Sequence, residues 1–198
     1  MAPVTVDPAR VRAFPDAASF NAWLGAHHAS EPEVWIRIHK RASGLPTITP
    51  LEAIDVALCW GWIDAIRKGL DATSYLQRYT PRRRKSTWSR INVENVARLI
   101  AEGRMTEAGL AQVEAAKADG RWDRAYPGAR EMALPDDLRA AIDADPAARE
   151  TFARLTAQNR YALAFRLHNL RTEAGRRRKI AAFVEMLKRG EMIHPPRR

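Results

Sequence analysis

Residues 59–90 read CWGWIDAIRKGLDATSYLQRYTPRRRKSTWSR. An apolar helical pattern stops at Gly61, and two extended runs follow, WIDAIRK over 62–68 and SYLQRYT over 74–80, with GLDAT between them. Short runs rich in β-branched and aromatic residues on either side of turn formers predict a β-hairpin with a longer loop. Pro81 ends the second run, since proline has no N–H for a ladder, and after Ser89 the apolar spacing changes to that of helices. The stretch thus separates a sheet-building part from a helical part. The fold class it implies is α+β, a small sheet with packed helices in the N-terminal part followed by a helical C-terminal part.

The same reasoning extends upstream. DAASFNAWLGAHHA places Phe20, Trp23, Leu24 and His27 on one helical face, with Asp16 available as a cap. EVWIRIHK alternates, Val34, Ile36 and Ile38 against Trp35, Arg37 and His39, as a half-buried strand does. In TPLEAIDVALCWGW, Thr49 suits the N-cap, Pro50 the first helical position, and Glu52 completes a capping box. Downstream, helices are expected over 90–102 and 107–118, with Thr106 as the cap between them. A turn-rich linker, RWDRAYPGAREMALP, follows. Asp145 and Pro146 open a further helical region, and Ile180, Phe183, Val184 and Leu187 form the stripe of a last helix. The implied division is an α+β domain over 1–90, a helical pair and linker over 91–130, and a C-terminal helical region over 131–198.

With 46% apolar residues, the 198-residue chain can bury a core. Its formal net charge is +10, and residues 60–90 alone hold eight basic and two acidic side chains. A concentration of that kind is more than solubility requires and suggests an anionic partner. The single cysteine, Cys59, excludes an intrachain disulfide, and the N-terminal MAPVTVDPARVRAF lacks the apolar run of a secretion signal, so the expected location is cytoplasmic. No uncharged apolar run is long enough to span a membrane.

Catalytic patterns are sparse. Cys59 sits in an apolar helix, where a free thiol is ordinarily structural. His27, His28, His39, His168 and His194 show no metal-ligand spacing, and no phosphate-binding glycine loop, dinucleotide fingerprint or nucleophile elbow occurs, so neither a metal nor a cofactor is implied. Asp64 is the one acid to consider for chemistry. If 62–68 is a strand, Trp62, Asp64, Ile66 and Lys68 share a face, and the carboxylate meets Arg67 or Arg78 according to register. An ion pair that pins the hairpin is the favoured role, ahead of a general base.

In TPRRRKSTWSR, arginine forks suit carboxylates and phosphates, and neighbouring cations repel one another until an anion relieves them. Trp88 or Trp62 offers a stacking face, though Trp88 equally suits an anchor of the following helix in the core. The expected ligand-binding set is Trp60, Trp62, Asp64, Arg67, Tyr75, Arg78, Arg82, Arg83, Lys85 and Trp88. A second cluster, RRRK over 176–179, is read as the solvated face of a helix continuing from the preceding one.

Three stretches carry a resemblance: CWGWIDAIRKGLD; YLQRYTPRRRKSTWSRINVENVARLIAEGRMTEAGLAQVEAAKADGRWDRAY; and EAGRRRKIAAFVEMLKRGE. They resemble the bacteriocin-protection family, also called YdeI or OmpD-associated proteins. That resemblance implies an α+β N-terminal part, a helical C-terminal part and a cytoplasmic role in bacterial stress and peptide tolerance, with no assigned reaction. The expectation is a non-catalytic protein that recognises a small anionic or aromatic molecule through its Trp- and Arg-rich site. A nucleic-acid-associated basic protein is the alternative, and an enzyme using Asp64 stands third.

Overall fold

The computed structural model describes residues 5–195. They form two compact units, divided between Arg124 and Ala125. In the first, β1 (Val11–Arg12), α1 (Ala17–His27), β2 (Val34–His39), α2 (Pro50–Cys59), β3 (Trp62–Gly69) and β4 (Ser74–Pro81) are followed by α3 (Arg90–Ala101) and α4 (Glu107–Ala118). The second contains α5 (Asp136–Asp143), α6 (Pro146–Ala153), α7 (Ala157–His168) and α8 (Glu173–Lys188). This is the α+β class, and no strand follows Pro81 among the described residues.

The four strands lie in the order β1-β2-β4-β3, with β1 parallel to β2 and the other pairs antiparallel. Val34 pairs with Tyr79, Ile36 with Gln77 and Ile38 with Tyr75. These residues therefore share one face, and α1 and α2 cover it. Phe20, Leu24, Val34, Ile36, Ile38, Val56, Trp62 and Tyr79 make the core there. Burial of each large side chain contributes roughly 1.5–3 kcal/mol before entropy is set against it.

Local signals start the helices as the sequence predicts. Asp16 accepts from Ser19 N at α1, and at α2 Thr49 and Glu52 form the reciprocal capping box behind Pro50. Thr106 caps α4 through Gly109 N and also donates its hydroxyl to the Cys59 carbonyl at 2.6 Å, closing the end of α2. This junction requires glycine twice. Gly61 turns the chain at φ +71°, where a side chain is strained, and a Cβ on Gly109 would stand 2.9 Å from the Leu58 carbonyl oxygen. α3 and α4 pack on α2, burying Val96, Leu99, Val113 and Ala116.

The second unit has its own core of Leu138, Ile142, Phe152, Leu155, Leu163, Leu167, Phe183 and Leu187. One expectation fails here. Helix α7 stops at His168 instead of running on through 176–179, and α8 starts afresh at Glu173 with Thr172 accepting from Gly175 N. The cations in its first turns oppose the helix dipole, but Glu173 stands at the very start of the helix and pairs with Arg177. Arg176 grips Asp137 of α5 through two bonds, at 2.6 and 2.7 Å.

Candidate functional site

The hairpin brings Trp62, Asp64, Arg67 and Tyr75 to one face of the sheet and sends Arg78 to the other. Trp62 pairs with Pro81 and Asp64 with Tyr79, and a bulge then moves the register so that Arg67 pairs with Gln77. Inserting a bulge re-aims the residues beyond it, which is why Arg67 shares the face of Asp64 despite its odd spacing. Arg78 pairs with Trp35 on the opposite face, where its guanidinium binds Glu33 and lies 5.9 Å from the Trp35 ring centre. Of the two residues expected near Asp64, the register puts Arg67 on its face and Arg78 on the other.

The aromatic members of the expected site pack against neighbouring side chains. Trp62 is 1% exposed, with its indole N–H donating to the His28 carbonyl and its ring edge-on to Trp23. Trp60 is half-buried, donating to Asn21 at 2.8 Å and lying against His28. Tyr75 receives the Arg67 guanidinium 4.6 Å above its ring, while Arg67 Nε donates to Gln77. Burial raises the Asp64 carboxyl above the ordinary carboxylate range, against the opposing pull of Arg82 and Arg67. Burial likewise pushes the Tyr79 phenol up, with the Asp64 charge adding to the effect. Burial also raises the Cys59 thiol, so it is protonated and unreactive at neutral pH.

The basic run after Pro81 is arranged differently from its flat appearance in the sequence. Arg82 is 6% exposed, stacked 3.6 Å over Trp88, and donates to the Thr87 carbonyl at 3.2 Å. Its backbone N–H donates to Gly61 O. Trp88 is 2% exposed and packs edge-on against Trp122. Below the turn, Arg121 is held by Asp119 and donates to Ser86 O at 2.9 Å. The turn itself closes through Ser86 N to Arg83 O and through Arg83 N to Ser86 Oγ. Arg83, Arg84 and Lys85 stand exposed on top of this frame, with no carboxylate partner among the described residues.

Arg82, expected among the ligand-binding residues, lies beneath the turn against Trp88. It forms the foundation of the turn, and Arg84, left out of the expected set, joins Arg83 and Lys85 at the tip. Contiguity in the sequence is the signal that would have included Arg84. Arg121 lies 35 residues beyond Ser86, and no local pattern announces its buttressing role.

No helix among the described residues is long and apolar enough to cross a membrane, and no group of three or more His, Cys, Asp or Glu converges there as metal ligands. Residues 12–112, just over half of the chain, match the family described as a domain of unknown function, DUF8412. The chain belongs to the DUF8412 family. Strands β2 to β4, the basic turn, α3 and the first half of α4 fall inside this family's span. Residues 131–190, within the second unit, match the family described as Bacteriocin-protection, YdeI or OmpD-Associated. That match supports the resemblance read from EAGRRRKIAAFVEMLKRG, whereas GWID, TPRR and KSTWS lie in the DUF8412 segment. No curated protein and no solved structure matches the chain.

Proposed function

We propose that the chain is a non-catalytic recognition protein that binds a small anion at the turn formed by Arg83, Arg84 and Lys85. Three exposed cations, raised on a frame of buried Arg82, Trp88 and Arg121, carry this reading. A frame of this kind lowers the entropy lost on binding, and the mutual repulsion of adjacent cations is relieved by a phosphate or carboxylate group. With Trp62 and Trp88 turned into the core, the ligand class at the turn is narrowed to the anionic one. The description of the second-unit family supports a role in protection against bacteriocins, and the lone unpaired Cys59 suits a reducing cytoplasm.

The second basic cluster contributes less than its sequence suggests, because Arg176 and Arg177 are already paired with Asp137 and Glu173. A polymer backbone would need a longer track of open cations.

Titration calorimetry with inorganic pyrophosphate at physiological salt tests the reading. Binding is expected in the parent and is lost in Arg83→Gln/Arg84→Gln/Lys85→Gln. The stability of that variant should stay within about 0.5 kcal/mol of the parent, as exposed charges away from special features allow. Absence of pyrophosphate binding in the parent, or its survival in the variant, refutes the site. Tighter binding of mixed-sequence DNA that falls steeply with salt would transfer the reading to nucleic acid.

A further inference from the structure

The first unit contains a cleft of about 200 Å³ lined by Asp7, Arg10, Arg12, Trp23, Glu31 and Glu33, among others. These residues are brought together by the start of the sheet. Arg12 pairs with Ile36 on the edge strand β1, which puts it on the face covered by α1, the helix that carries Trp23. Glu31 and Glu33 come from the connection between α1 and β2.

Three acids line the cleft, yet each is already answered. Asp7 accepts from Ala9 N at 2.9 Å and from Arg10 Nε at 3.2 Å. Arg10 also reaches Glu31 at 3.6 Å. Glu33 takes the Arg78 guanidinium and the Trp35 indole N–H. Arg12 differs, because its Nη1 is spent on two backbone carbonyls, Ala9 O at 2.7 Å and Val11 O at 2.9 Å, and no carboxylate among the described residues pairs with it. The remaining N–H groups of its fork are thereby held in a fixed plane. Trp23 supplies the apolar wall, its ring packed among Phe14, Phe20 and His27 and partly buried.

We propose that this cleft binds a small planar monocarboxylate, with the Arg12 fork on the carboxylate and Trp23 against the ring. An arginine fork matches a carboxylate geometrically, and a tryptophan face suits a flat unsaturated ring. Volume sets the size, since 200 Å³ lies below the roughly 300 Å³ at which drug-sized sites begin. Charge sets the valence. Glu31 and Glu33 on the wall repel a dianion more than they repel a single negative charge, which the Arg12 fork meets. The site is separate from the basic turn and stands whether or not the turn binds anions.

Benzoate is the probe, titrated into the whole protein by calorimetry and followed by tryptophan fluorescence. A millimolar dissociation constant is expected, weakened at least about tenfold by Arg12→Gln, the loss anticipated for a hydrogen bond to a charged group. Arg12→Lys, which keeps the charge without the fork, should fall between, and it gives the same reading if the glutamine variant fails to fold. Arg83→Gln/Arg84→Gln/Lys85→Gln should bind benzoate as the parent does, which separates this site from the turn. Failure of the parent to bind benzoate, equal binding by both Arg12 variants, or tighter binding of benzylamine than of benzoate each overturns the proposal. The benzylamine result would mean that the carboxylates, and not Arg12, set the specificity.

Discussion

Asp64 lies on β3 opposite Tyr79, on the face that α1 and α2 cover. Its alternation with Trp62 places it on the helix-covered face, as the strand pattern implies, but its partner depends on a bulge that no local signal marks. In that position its carboxyl is pushed above the ordinary range, with burial the larger cause and Arg82 and Arg67 pulling the other way. The sign of the consequence follows from linkage. A carboxyl that holds its proton more tightly when folded makes the fold less stable as pH rises through the carboxylate range. Asp64→Asn removes that penalty. The variant is expected to melt higher than the parent at pH 7, and the two melting temperatures should converge as pH falls below the ordinary carboxylate range. A variant that melts lower at pH 7 would show that the attraction of the Arg82 and Arg67 charges outweighs the desolvation.

The elements that were legible are those whose signals are local. The capping box of Thr49 and Glu52, the Asp16 cap and the Thr106 cap each lie within a few residues of what they fix, and all three form as the sequence indicates. The two-residue strand β1 is too short to carry a period, and α5 begins after Pro135 with no side-chain cap, so neither stood out. The basic turn was visible as charge but not as architecture. Four adjacent cations look equivalent in the sequence, whereas the requirement to cover Trp88 draws Arg82 under the surface and leaves the next three outside. Arg82→Gln should consequently destabilise the first unit by about 1–3 kcal/mol, the range for a desolvated cation–π contact plus a lost buried hydrogen bond. Arg83→Gln should leave stability within about 0.5 kcal/mol. Urea denaturation of the two single variants checks the contrast, and equal effects would mean that Arg82 is not the foundation of the turn.

At the scale of the whole molecule, the charge of +10 is informative only after ion pairing is taken into account. Arg78, Arg98, Arg121, Arg176 and Arg177 each bind a carboxylate, whereas Arg83, Arg84 and Lys85 form a contiguous exposed run without one among the described residues. The hydrophobic cores are equally partitioned. The sheet core draws on residues between Phe14 and Tyr79, and the helical core on residues between Leu138 and Leu187. Domains that each close their own core respond separately to damage, whereas a single shared core would lose both functions together. Leu163 is fully buried in the helical core, and cutting it to alanine should destabilise the second unit by about 2–5 kcal/mol, the range for removing a buried leucine. The loss should be seen as an early helical transition in circular dichroism. Binding at the basic turn, which lies in the first unit, should persist below the second transition. If Leu163→Ala instead abolishes binding while the sheet remains folded, the second unit contributes to the recognition site and the function belongs to the chain as a whole.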